Sequence, residues 1–174
     1  DRYGLNAAQI FTNNPRTGQL SKINYENFKK ATIDIDISVH SAYCTVSVWK
    51  INEKNIHLAK SRQILDSFTR QIIATKNVGG WILVLHITKV QPAVVVETMK
   101  LLLPIAQQHK IKIGLEMVSS KAHPTMTYET PEKLNNLVKL IGKSKWYGLV
   151  VDLAHIHGAG VHVGNYADMR DWLD

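Results

Sequence analysis

The chain has 174 residues, 45% of them hydrophobic and 20% charged, with a single cysteine and a formal net charge of +7. Such a composition fills a core and excludes a disordered chain, and no apolar run approaches the roughly 20 residues that cross a bilayer, so no membrane partner is expected. Cys44 excludes an internal disulfide and suits an intracellular, reducing compartment, while the positive balance favours anionic partners, nucleic acid before a membrane surface.

In chain order, "AAQIFT" (7–12) predicts a short strand and "NYENFKKA" (24–31) has the composition of a helix. "IDISVH" (35–40) is rich in Ile and Val and predicts a strand. The clearest helix is predicted over 53–75, where Ile56, Ala59, Ile64, Leu65, Phe68, Ile72 and Ile73 recur at helical spacing between Lys and Arg. A Gly-Gly pair ends that connection, and "WILVLHI" (81–87) follows as a strand. Pro92 suits the first turn of a helix over 92–109. "IKIGLEM" (111–117) predicts the next strand, and Thr130-Pro131-Glu132 is a start signal for a helix over 131–143. "YGLVVDL" (147–153) is the last predicted strand, and a short helix begins near Tyr166. No low-complexity segment or long linker interrupts the chain, so residues 1–174 are read as one domain.

Near-continuous apolar strands alternating with single helices belong to parallel α/β sheets. A doubly wound sheet and part of a (β/α)₈ barrel both fit. The first strand is followed by no Gly-rich phosphate loop, which weakens the nucleotide-binding sheet. A complete barrel takes ~250 residues and eight units, so five units imply that first and last strands lie outside this stretch. Asp1 in place of a methionine points the same way at the N-terminus.

The predicted strands end on His40, His86, Glu116 and Asp152, and His155 follows Asp152 by three residues. Functional groups of parallel α/β folds sit at those ends. One histidine there is most often structural, but four ligand-type residues at four successive ends point to a metal. The His, His, Glu, Asp, His set has no thiolate and suits Zn²⁺, Mn²⁺ or Fe²⁺ in a catalytic site. Glu116, central in the order, is the candidate bridge between two metals and the candidate catalytic carboxylate. The other histidines read more blandly. His57 is expected within a helix, His109 in a last helical turn, and His123, His157 and His162 in loops.

Taken together, "AAQIFTNNPR", "VHSAY", "LVLH", "GLE" and "VVDLAHIHGAGV" resemble the endonuclease IV family of apurinic/apyrimidinic (AP) endonucleases. "LHITKVQP" and "YADMRDWL" resemble its branch in large DNA viruses. The resemblance implies a TIM (β/α)₈ barrel, of which about five units are visible, with a trinuclear zinc cluster in the complete chain. It implies cleavage of the phosphodiester 5′ to an abasic site by metal-activated hydroxide, leaving a 3′-hydroxyl and a 5′ deoxyribose phosphate. By motif, His40, His86 and Glu116 match the ligands of one zinc, Glu116 and Asp152 half the ligands of a second, and His155 a ligand of a third. Arg16 in "NPR" and Tyr43 in "HSAY" match residues that enter the DNA at the lesion, and Asn13 and Asn14 are candidate donors to phosphate. Ile87, Met117 and Leu153 depart from the residues usual beside the ligands, which bears on how the metals are tuned. The partner implied is double-stranded DNA with an abasic site, met by a monomer in the nucleus or cytoplasm of an infected cell or in a virion. Two alternatives remain: a divalent-metal sugar isomerase or epimerase on a related barrel, with Glu116 as base, and a non-catalytic DNA-binding relative.

Overall fold

The structure, a computed structural model, describes residues 4–87, 89–118, 128, 130–162 and 164–173. Five strands, β1 (Ala7–Phe11), β2 (Asp36–His40), β3 (Ile82–His86), β4 (Lys112–Glu116) and β5 (Tyr147–Val150), form one sheet. Helices α1 (Tyr25–Ala31), α2 (Ala59–Asn77), α3 (Pro92–His109) and α4 (Pro131–Ile141) connect them, and α5 (Leu153–Gly158) and α6 (Tyr166–Leu173) follow. Every pairing is parallel and the strand order is β1-β2-β3-β4-β5. A doubly wound sheet reverses its order at a switch point. Here each strand adds to the same edge, which is the winding of a TIM-barrel wall.

The register fixes which side chains share a face. His40 is aligned with Val84, and His86 with Glu116. Side chains alternate with period two, so His40, His86 and Glu116 point to one side. Leu83, Leu85, Ile87, Ile113, Leu115 and Met117 point to the other, fully buried in the core with Phe68 and Ile72 of α2 and Val95, Met99 and Leu102 of α3. Burying side chains of this size contributes about 1.5–3 kcal/mol each before chain entropy is counted, so the helix-facing layer holds the wall rigid. The opposite side is left to present polar groups at the strand ends.

Beyond shifts of one or two residues at element ends, three features differ from the sequence expectations. The helix expected from residue 53 begins at Ala59. Asn52 and Asn55 capture the intervening backbone: Asn52 Oδ1 accepts from the Lys54 and Asn55 amides at 3.0 and 3.1 Å, and Asn55 Oδ1 accepts from the Asn52 amide at 2.9 Å. Asparagine side chains thus supply a turn where helical spacing alone suggested a helix. His57 consequently lies exposed in that turn and not in a helix. A 3₁₀ segment at Tyr43–Lys50, which no periodicity announced, leaves β2 directly after His40. The fifth strand ends at Val150, because Asp152 is the N-cap of α5, its Oδ1 accepting from the amides of Ala154 and His155 at 2.8 and 3.0 Å. Among the described residues no helix is long and apolar enough to cross a membrane.

Candidate metal centre

The strand-end residues converge. His40 Nε2 lies 2.9 Å from His86 Nε2, and Glu116 Oε2 lies 3.4 and 3.6 Å from those two nitrogens. The other oxygen, Glu116 Oε1, is 3.1 Å from His155 Nδ1, which is itself 3.5 Å from Asp152 Oδ2. The result is two three-residue groups, His40–His86–Glu116 and Glu116–Asp152–His155, with Glu116 common to both and only 4% exposed.

His155 joins this cluster because Asp152 starts a helix at once. One turn of α5 brings residue 155 back over the strand ends, where its ring also reaches the Met117 carbonyl at 3.0 Å from Nδ1. The motif resemblance set His155 apart with a third metal; the structure groups its side chain with Glu116 and Asp152. Asp152 divides its two oxygens, one capping the helix and the other facing the site.

These donors fit a divalent metal. The carbonyl of Ser41 lies 2.7 Å from His40 Nδ1 and accepts its proton, which leaves the Nε2 lone pair pointing inward. Two imidazole nitrogens 2.9 Å apart require a proton or a cation between them. With metal–nitrogen distances of about 2.0–2.1 Å, two corners of a tetrahedron stand roughly 3.3 Å apart, which is the spacing of this group. Electrostatics separates the two histidines. Burial pulls the His40 pKa down, but the Glu116 hydrogen bond, the Ser41 carbonyl and the Glu116 and Asp152 charges outweigh it and leave it raised. For His86 burial prevails over Glu116, aided by the nearby His40 and His155, and its pKa is lowered. The lowered pKa favours the neutral imidazole of His86, the form that ligates.

An aromatic rim surrounds the histidines. Phe11 packs 4.9 Å from the His40 ring, and Tyr43 stacks on His86 with centroids 5.9 Å apart while half exposed. The amide of Tyr43 donates to the carbonyl of Pro15 at 2.8 Å, tying the 3₁₀ segment to the loop that carries Arg16. Arg16 is exposed. Asn14 is exposed too, but its Oδ1 is taken by the Arg16 and Thr17 amides at 3.0 Å each. Asn13 is not available to a ligand. It is buried, with Oδ1 accepting from Thr12 and Nδ2 donating to the Gly18 carbonyl at 2.7 Å. Ile87 and Met117 are wholly buried core residues, and Leu153 is exposed at the start of α5. His109 ends α3, His157 is exposed in α5, and His162 pairs with Asp168 at 3.0 Å, away from the cluster. His123 lies outside the described residues. Sequence reading did not find Phe11, the Ser41 and Met117 carbonyls, or Trp49 behind His86, since none carries a ligand-type signal.

Comparison with known proteins places this arrangement. The family model described as xylose isomerase-like TIM barrel matches residues 1–172. A protein of African swine fever virus (isolate Pig/Kenya/KEN-50/1950) named "Probable AP endonuclease" is 28% identical over 173 residues, 98% of this chain and 55% of that protein. A crystal structure described as "AsfvAP:AG" superposes with a TM-score of 0.76 at 27% identity, covering 96% of this chain and 54% of the other. Endonuclease IV from Thermus thermophilus shares the fold, with a TM-score of 0.65 at 18% identity over 98% of this chain and 62% of the other. The chain thus spans about half the length of the viral proteins it matches.

Proposed function

The chain belongs to the xylose isomerase-like TIM barrel family, and from that premise we propose that the protein carrying it is a metal-dependent AP endonuclease of DNA repair. Its reaction is hydrolysis of the phosphodiester 5′ to an abasic site, leaving a 3′-hydroxyl and a 5′ deoxyribose phosphate. The observation that supports this reading over other metal chemistry is the pairing of a metal-ligand set with an exposed aromatic side chain. Tyr43 stands at the rim of the His/Glu/Asp cluster and is joined through Pro15 to the Arg16 loop. The similarity to viral proteins named as AP endonucleases agrees with it.

His40, His86 and Glu116 are the residues to hold one divalent ion, and Glu116, Asp152 and His155 those to hold a second, with zinc favoured by imidazole and carboxylate donors and manganese the alternative. A trinuclear cluster in the complete protein remains part of the proposal. Bound there, such ions supply a water activated near neutral pH and neutralise charge on the phosphate oxygens. The chain's own groups do the rest. Glu116 presents one oxygen to each ligand group and holds them in a fixed relation. The His40 proton on Nδ1, kept by Ser41, fixes the tautomer that faces the cluster. Tyr43 offers a stacking face where the abasic nucleotide leaves the helix, and Arg16 offers a charge to the adjacent phosphate. The Asn14 amide nitrogen is a further donor to phosphate. The similarity to viral proteins supports an infected cell as the setting of this work.

The test is incision of an end-labelled duplex with one abasic analogue by the protein in its complete natural form. One cut on the 5′ side of the lesion is expected, lost on stripping with a strong chelator and restored by Zn²⁺. A zinc-loaded protein that leaves this duplex intact but epimerises a ketose overturns the proposal in favour of the sugar-isomerase chemistry of related barrels.

A further inference from the structure

Parallel strands β2 and β3 are hydrogen-bonded as far as the Ser41 amide, which donates to the Val84 carbonyl at 2.9 Å. Two residues further along, the ladder calls for the Tyr43 amide to meet the His86 carbonyl. That bond is not made, because the Tyr43 amide turns away to Pro15 and the chain coils into the 3₁₀ segment. The His86 carbonyl is nevertheless satisfied. The indole Nε1 of Trp49 donates to it at 2.8 Å, from a side chain only 6% exposed. On its other side β3 continues into β4 through the Ile87 amide, bonded to the Glu116 carbonyl at 2.8 Å.

We propose that Trp49 is a positioning residue of the metal centre, its indole N–H standing in for the missing ladder bond and locking the strand end that carries His86. This rests on the metal reading of the cluster. The same eight-residue segment holds His86 twice, since Tyr43 at its start stacks on the imidazole and Trp49 near its end bonds the main chain. A buried donor with one partner is directional: it fixes where the carbonyl points, and so the orientation from which the His86 ring leaves the strand. Packing alone would confine the strand end without fixing that direction. The segment that presents Tyr43 to DNA is thereby in direct contact with a metal ligand.

The experiment is titration of the metal-free complete protein with Co²⁺, following its visible d–d absorption, in wild type, Trp49→Phe and Val48→Ala. Phenylalanine keeps an aromatic ring but loses the donor. Val48 is fully buried in the same segment, so its truncation loosens packing while leaving the indole bond. Trp49→Phe is expected to weaken Co²⁺ binding roughly tenfold to a hundredfold and to change the band positions, as loss of groups that orient ligands does. Val48→Ala is expected to lower thermal stability with affinity and spectrum unchanged. Wild-type affinity and spectrum in a folded Trp49→Phe overturn the inference alone, and so does an equal loss of affinity in Val48→Ala. A wild type that binds no Co²⁺ overturns the metal reading and the inference with it. If Trp49→Phe does not fold, the indole N–H of Trp49 in wild type decides: slower solvent exchange on adding Co²⁺ or Zn²⁺, not shared by Trp81, Trp146 and Trp172, supports the role, and unchanged exchange overturns it.

Discussion

At the scale of single residues, burial sets chemistry that the residue type does not. Tyr128 is 3% exposed, its hydroxyl donates to the Val90 carbonyl at 2.6 Å, and burial pushes its pKa up to about 12. The folded pKa lies above the ordinary value of about 10, so the folded state favours the neutral phenol. That contribution is fully present below pH ~10 and is lost as pH rises through about 12, a change on the order of 2–3 kcal/mol. Tyr128→Phe is expected to be less stable at pH 7 by about 1–3 kcal/mol, because Val90 loses its donor. Between pH 10 and 12 the wild type should lose this advantage and the two stabilities should converge. Urea unfolding across that range checks it, and parallel curves would contradict it. The site shows the same limit on reading by type. His40, His86 and Glu116 were legible because apolar strands end on them. Asn13 and Asn14 are the same residue side by side, and only backbone geometry tells that one is spent inside the loop while the other keeps a free amide group at the surface. That Asp152 would divide its oxygens between a helix cap and the cluster was equally out of reach, because the cap depends on where β5 stops.

At the scale of elements, β4 carries a constraint written in one glycine. Gly114 lies on the same face as Glu116, two residues before it, and a Cβ there would stand 2.7 Å from Val150 Cγ2 and 2.9 Å from Ile82 Cδ1. Both neighbouring strands lean their side chains over β4, so the strand that bears the shared carboxylate has no room to widen. Gly114→Ala is expected to cost about 1–3 kcal/mol through overpacking, and adding Val150→Ala should recover a clear part of it by removing the nearer atom. A double-mutant cycle in denaturant measures this. Simple additivity of the two losses would show that the contact is relieved in some other way. The helices that sequence delimited well are those with explicit end signals. For α3, Pro92 stands at the first turn and His109 at the last residue, and α4 begins after Thr130, whose hydroxyl accepts from the Lys133 amide. Segments ruled by tertiary bonds were not legible. The 3₁₀ turn has no period to detect and is held by buried Gln71, whose Oε1 accepts from the Ala42 amide at 3.0 Å and whose Nε2 donates to Thr45 at 2.8 Å. The early start given to α2 failed for a similar reason, since paired asparagines outcompete helical spacing.

At the scale of the whole molecule, the chain carries a net charge of +7, whereas the cluster contributes the carboxylates Glu116 and Asp152. A polyanion is then drawn by the periphery and not by the ligands. Arg16, Lys50 and Lys89 lie on the successive connections after β1, β2 and β3, at the C-terminal end of the strands, the end that carries His40, His86 and Glu116. Binding of the proposed DNA partner releases counterions, and about three phosphate contacts give a log–log salt slope near −3. The decisive comparison is Arg16→Ala on duplexes with and without an abasic analogue, by fluorescence anisotropy across a salt series. A residue that only neutralises phosphate lowers affinity for both duplexes alike and makes the slope shallower by about 0.9. A residue that enters the lesion weakens binding to the abasic duplex and spares the intact one. The loop favours the second result. It is anchored at the rim of the His/Glu/Asp cluster by the Pro15–Tyr43 bond and tightened by Asn14, so Arg16 follows directly on the residue that bonds the exposed Tyr43. We therefore expect loss of lesion discrimination with Arg16→Ala, and an equal loss on both duplexes would reduce Arg16 to one more point of the basic periphery.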